Sequence, residues 1–304
     1  MTEGIEVYRR HTVCTDPGRM TGWAGSSPED LASARRLATR LVFHFWAAGD
    51  PLGLGFTPDR LPEVDLRYAE EQFARLADLT PGLPLEAERG ATQRILGCCR
   101  DFTLLLVSML RSHGVAARSR VGHAGYFEKG WWVDHVVAEV YDEREGDWRL
   151  VEAQIPDDFP GVGGPLDPLD VPRDRFLTGD AAWIAAREGR LAPQSVVVSP
   201  ALEIPETRGW PQLAHNLVLD LASLTGWEPL QWDEWGALTA DDADLDRQPA
   251  LRSALDAVAD AIAGGADAAD LRRLAQEHGF SVPATIRSRS PYDGTSRTVV
   301  LRAT

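Results

Sequence analysis

The chain's apolar positions fall into helical spacing early, strand spacing in the middle, and helical spacing again towards the end. Ser27-Pro28-Glu29-Asp30 supplies a helix start, and Leu31 to Ala48 follows with helical periodicity until Gly49-Asp50-Pro51 stops it. A second helix is predicted from about Leu66 to Leu79, closed by Thr80-Pro81-Gly82. A third runs from Cys98 to His113, apolar on nearly all sides through Phe102, Leu104, Leu105, Leu106, Val107, Met109 and Leu110, with Gly114 placed as its stop. A helix without a polar face belongs inside the core.

Three strands are predicted next, Ala117 to Gly122, Trp132 to Tyr141 and Trp148 to Ala153, the last two joined by a charged, Gly-containing turn over Glu143 to Asp147. A short strand is also expected near Ile5 to Tyr8. Beyond Gln154 the chain becomes rich in Pro and Gly up to Pro168. Helical character then returns at Asp180 to Glu188, Gln212 to Leu224, Pro249 to Ala263 and Ala268 to His278, before a strand-like tail at Arg297 to Leu301. One buried helix followed by an antiparallel sheet, with further helices on either side, predicts an α+β fold. The expected organisation is an N-terminal helical segment over 1–89, a core over 90–155, and a mostly helical C-terminal extension over 156–304, all integral to one unit.

Composition narrows the function. With 46 acidic against 31 basic residues the net charge is −15, which repels phosphate backbones and anionic bilayers, so neither nucleic acid nor membrane is an expected partner. Lys129 is the only lysine, and the Arg-, Ala- and Gly-heavy vocabulary fits a GC-rich bacterial genome. The start of the chain has no basic segment followed by an apolar run, no stretch is long enough to span a bilayer, and three cysteines cannot build a disulfide framework. Together these predict a cytoplasmic location. Cys14 is read as a lone thiol.

The chemistry concentrates around Gly97-Cys98-Cys99-Arg100-Asp101-Phe102. A cysteine at a helix N-terminus sits among unpaired N–H groups whose dipoles favour a thiolate. On the strand from Trp132 to Tyr141, His135, Val137 and Glu139 share a face, and on the next strand Trp148, Leu150 and Glu152 share one. Pairing through the turn at Gly146 puts His135 and Glu152 on the same side, where a carboxylate orients an imidazole that deprotonates a thiol. Adjacent residues on a helix point about 100° apart, so one of Cys98 and Cys99 faces His135. Adjacent cysteines chelate a single metal poorly, so no metal or other cofactor is expected.

These residues resemble the transglutaminase-like superfamily. Its pattern of Gly-x-Cys-(Arg/Trp)-Asp-(Phe/Tyr) on a helix, His with a following Glu on a strand, and Trp-x-x-x-Asp is matched by Gly97 to Phe102, His135 to Glu139, and Trp148 to Glu152. The passage from Met109 to Arg118 resembles the family's entry into its first strand. The resemblance covers about residues 90 to 155 and implies a papain-like core, a central Cys-bearing helix packed on an antiparallel sheet. It implies Cys99 as nucleophile, His135 as base and later acid, and Glu152 as the third member, one methylene longer than the usual Asp. Cys99 then heads the stripe of Phe102, Leu106 and Met109, and Cys98 lines a wall. For the oxyanion, the Cys99 N–H needs a side-chain companion. Gln93 stands where papain-like enzymes place a glutamine, and Tyr126, Trp131 and Trp132 are similar to the aromatic donors of transglutaminases.

The implied activity is acyl transfer or hydrolysis at an amide or ester carbonyl of a small molecule, peptide or protein, through an acyl-enzyme on Cys99. A catalytically silent binding module, suggested by Glu152 in place of Asp, is the alternative. The Trp-rich stretch Trp227 to Trp235, with Trp210 and His215-Asn216, is similar to extensions of bacterial members and is read as packing on the core or as a cleft wall.

Overall fold

The computed structural model describes residues 2–236 and 248–303. Its α-helices of eight residues or more are α1 (Leu31–Leu41), α2 (Ala69–Leu79), α3 (Cys99–Ser112), α4 (Gly179–Arg187), α5 (Gly209–Leu224), α6 (Pro249–Ala263) and α7 (Ala268–Glu277). The strands are β1 (Val42–His44), β2 (Ile95–Gly97), β3 (Ala117–Ala124), β4 (Trp132–Asp142), β5 (Asp147–Val151), β6 (Phe176–Thr178), β7 (Val196–Val197), β8 (Asp233–Glu234), β9 (Thr285–Arg289) and β10 (Ser296–Val300). Among the described residues no helix is long and apolar enough to cross a membrane.

Helix α3 is the axis of the molecule. Every residue from Cys99 to Arg111 is buried, and its polar members are matched by partners, as burial demands. Thr103 donates to the Val136 carbonyl (3.0 Å), Ser108 to that of Thr15 (2.7 Å), Arg111 to that of Ala117 (2.9 Å), and Arg100 to those of Arg67 and Glu228 (each 2.6 Å). These bonds tie the helix to segments before and after it in the chain.

The main sheet has the order β5-β4-β3-β6, all neighbours antiparallel, with β7 alongside the start of β4 in parallel. Period-two alternation sorts β4 between two apolar clusters. Val136, Ala138 and Val140 join the one that holds α3, while Val137, with Leu150 of β5, joins a smaller one with Tyr126, Ile155 and Phe176. Gly122 of β3 lets β6 approach, because a Cβ there would lie 2.1 Å from the Leu177 carbonyl oxygen. The large cluster also includes Leu37 of α1, Leu217 of α5 and Val258 of α6, so helices from both ends of the chain share a core with the sheet.

Some elements depart from the sequence expectation. Residues around Ile5 to Tyr8 are helical, as Thr2–Glu6 and a 3-10 turn Val7–Arg9. Tyr8 is held by its hydroxyl on the Leu224 carbonyl (3.0 Å) and not by a ladder. The first long helix starts as expected, Asp30 accepting from the Ser33 N–H (2.9 Å), but ends at Leu41. There the β-branched and aromatic run Val42-Phe43-His44 leaves the helix and pairs in parallel with Ile95–Gly97. The second helix begins at Ala69 rather than Leu66, after an eight-residue 3-10 segment at Pro58–Asp65. The strand-like tail is β10, antiparallel to β9, which in turn pairs with β8 of the Trp-rich stretch.

Candidate active site

Strand β2 delivers the chain into α3 through Cys98, which takes extended backbone angles as the N-cap. Its N–H donates to Asp101 Oδ2 (2.8 Å), closing the first turn on itself. Cys99 is therefore the first helical residue, where the helix dipole favours an anion.

Antiparallel pairing places the other two residues. Val151, the last residue of β5, lies opposite Ala138, and Glu152 follows it as the chain leaves the ladder. The longer side chain spans the distance: Glu152 Oε2 lies 2.7 Å from His135 Nε2. The same oxygen accepts from the Tyr126 hydroxyl, and Oε1 accepts from the Gln154 N–H (2.9 Å). The main chain of Glu152 is fixed as well, its N–H on Pro168 O and its carbonyl on Arg35 Nε, each at 2.8 Å. Arg35 of α1 also grips Ile155 and Asp157, and Thr39 donates to the Ala153 carbonyl (2.8 Å). The imidazole of His135 is boxed by Phe127, Tyr126 and Phe176, ring centroids 4.8, 6.2 and 6.3 Å away.

Cys99, His135 and Glu152 are all buried, and each shifts the next. The Cys99 thiol falls to about 7 because the Cys98 thiol donates to it; burial opposes this, and the hydrogen bond and charge of His135 add to it. Cys98, as that donor and in the same dry surroundings, is pushed well up. Burial works against a charged His135, yet the Glu152 carboxylate and the contact with Cys99 outweigh it and raise the imidazole to about 10. Burial likewise opposes ionised Glu152, which His135, Tyr126 and Gln154 hold below the usual carboxylate range. With Nε2 on Glu152, the ring nitrogen left for Cys99 is Nδ1. A thiolate–imidazolium pair steadied by a carboxylate is what this arrangement favours, and such a pair attacks electrophilic carbon.

The other candidates from the sequence are placed variously. Gln93 is exposed, and its amide oxygen accepts from the Gly90 N–H (2.9 Å), so the side chain closes its own 3-10 turn and is not brought to the buried thiol. Tyr126 is fully buried with its hydroxyl committed to Glu152. Trp131 and Trp132 are half-buried at the entrance to β4, Trp131 beneath the Arg208 guanidinium (6.0 Å) and Trp132 covering Gly125.

Further polar residues surround the site without any motif to announce them. Asp134, beside His135, accepts at Oδ1 from Asn216 of α5 (2.8 Å) and from Gln231 (2.9 Å). Gln231 is held in turn by His215, whose Nε2 donates to its carbonyl (2.9 Å). His44, at the end of β1, pairs with Gly97 in the register of the parallel ladder. The aromatic, β-branched stretch at 42–45 is the sequence signal that marks its strand.

Residues 80–153 match the model of the transglutaminase-like superfamily. Among solved structures the chain is similar to one described as "a Putative Cysteine Protease from Cytophaga hutchinsonii", at 14% identity and a TM-score of 0.34, over 57% of this chain and 45% of that one. The similarity thus spans less than half of that protein. No curated protein matches.

Proposed function

We infer that this chain, which carries a transglutaminase-like segment over residues 80–153, is a cysteine-dependent enzyme that transfers or hydrolyses acyl groups at amide or ester carbonyls. The observation that carries the reading is the 2.7 Å contact between His135 Nε2 and Glu152 Oε2, made by an imidazole whose other nitrogen is left to Cys99.

In the first half-reaction the Cys99 thiolate adds to the carbonyl carbon, forming the C–S bond as the π electrons move to oxygen. The imidazolium of His135 then protonates the leaving amine or alkoxide as the tetrahedral adduct collapses to a thioester. In the second, water or an amine attacks the thioester, giving its proton to neutral His135, and Cys99 leaves as thiolate. Glu152 holds the ring in one orientation and supports its charged form throughout. Water as acceptor yields an acid, and an amine yields a new amide. A small-molecule amide or a peptide is the substrate class this reading takes. The rival reading, a silent binding module, drew on Glu152 in place of Asp; the reach of the Glu152 carboxylate to His135 supports the catalytic reading over it.

Incubation with p-nitrophenyl acetate tests the proposal directly. The expected result is a burst of nitrophenol with one acetyl group mapped by mass to Cys99, then release as acetate or, with added hydroxylamine, as the hydroxamate. A chain that is alkylated at Cys99 by iodoacetamide yet never acetylated there would overturn the acyl-transfer reading.

A further inference from the structure

We infer that His44 is the side-chain hydrogen-bond donor for the carbonyl oxygen that Cys99 attacks, completing an oxyanion site with the Cys99 backbone N–H. This rests on the acyl-transfer reading above and assigns a residue that no motif indicates.

Placement comes from the parallel pairing of β1 with β2. His44 lies opposite Gly97, and the Phe45 N–H donates to the Gly97 carbonyl (3.0 Å), so the ring is carried to the start of α3. There it stacks on Phe102, with centroids 6.5 Å apart and planes 24° from parallel. Phe102 is one helical turn beyond Cys99 on the same stripe. The ring also senses the charge of His135. His44 and the start of α3 are therefore neighbours.

The tautomer follows from two contacts. Nδ1 lies 3.0 Å from the Ala47 N–H and 3.2 Å from the Trp46 N–H. Both are donors only, so Nδ1 accepts and the ring proton sits on Nε2. The hydrogen bonds that His44 makes among the described residues both use Nδ1, which leaves Nε2 for a ligand. Burial, and secondarily the charge of His135, lower the imidazole to about 4. The ring is thus a neutral donor wherever the Cys99–His135 pair exists, and it does not compete with His135 as a base. Of the other candidates, Tyr126 is engaged on Glu152 and Gln93 on Gly90, while Trp131 and Trp132 stand at the entrance to β4, against Arg208 and Gly125.

An oxyanion donor acts on acylation but not on alkylation, because iodoacetamide reacts at a saturated carbon and develops no oxyanion. Two rates on the full chain separate the roles: acetylation of Cys99 by p-nitrophenyl acetate, and its alkylation by iodoacetamide. His44→Phe keeps the stacking on Phe102 and removes the donor. It is expected to slow acetylation about 100-fold while alkylation stays within about twofold. His44→Gln, whose amide offers an acceptor to the 46–47 N–H groups and a donor to the site, is expected to recover much of the loss. Acetylation of His44→Phe within threefold of the parent, or a parallel fall in alkylation, would overturn the inference alone. A parent chain that alkylates but does not acetylate would overturn it together with the function on which it rests.

Discussion

Tyr126 and His135 meet on a single oxygen of Glu152, the phenol donating to Oε2 and the imidazole Nε2 lying 2.7 Å from it. One carboxylate thus serves both the base and a fully buried tyrosine. Removing the phenol leaves a desolvated charge short of one donor, which costs roughly 1–3 kcal/mol when a buried partner is lost. Tyr126→Phe is expected to lower the unfolding free energy by that amount and to slow alkylation of Cys99, since a less firmly ionised Glu152 supports a weaker imidazolium. Denaturant melts and alkylation kinetics on the same variant check both effects.

Glu152 sits past the end of β5, with its own main chain held by Pro168 and Arg35. A shorter side chain on that fixed backbone falls short of His135. Glu152→Asp is therefore expected to reduce acyl transfer, with Glu152→Gln lower still because a neutral amide does not support the charged ring. Steady-state rates for the pair of variants decide the matter; Glu152→Asp matching the parent would refute the reach argument.

The pH dependence of alkylation follows from the coupled shifts. The thiolate forms as pH rises through about 7 in place of the 9.0 of a free thiol, and the imidazolium persists until about 10. Acyl transfer, which needs both, should climb through the lower value and fall through the upper one, with both belonging to the pair. In His135→Ala the thiol should titrate nearer its free value, slowing alkylation at pH 7 roughly 50-fold by loss of thiolate. Folding is linked to the same protons. The raised His135 stabilises the fold fully below its free value of 6.5, and that contribution is lost as pH rises through about 10. The depressed Cys99 contributes fully above 9.0 and loses its contribution as pH falls through about 7. A rate profile with no inflection near 7 in the parent would count against an activated thiol.

Arg120 of β3 is a second node of buried charge. It binds Asp220 (2.8 Å), Asp180 (2.9 Å) and Glu139 (3.1 Å), joining α5, α4 and β4. Arg118 and Arg173 also bind Glu139, but Asp220 has no second arginine among its side-chain contacts in the described residues. Arg120→Met strands that carboxylate and should cost about 3–5 kcal/mol, read as a large drop in melting temperature. The Arg120→Met, Asp220→Leu double variant should recover much of it.

The helix and strands that carry the candidate triad were legible because their patterns are long and pure: a helix apolar on every side at Cys98 to His113, and a strand whose alternation separates Val136 from Val137. The parity argument for His135 and Glu152 needed only the turn at Gly146, which has a positive φ of 71°. What escaped the sequence was built from pieces too short to carry a period. Strands β1 and β2 have three residues each, and their pairing links positions far apart in the chain, so His44 gave no local sign of its neighbour. Asn216 and Gln231 belong to segments read as packing on the core or as a cleft wall, and nothing in their spacing indicated that both would bond to Asp134. Gln93 looked well spaced for a donor, but a three-residue 3-10 turn absorbed its side chain.

The residues around the candidate nucleophile are scattered from Arg35 to Gln231, and that dispersion has a consequence for the life of the chain. As the polypeptide leaves the ribosome, Cys99 emerges before the histidine that would ionise it, and earlier still than the amides that brace Asp134. A thiol on such a nascent segment is an ordinary, slow nucleophile. Activation of the thiol thereby waits at least until the segments that supply His135 and Glu152 have been made and packed against it.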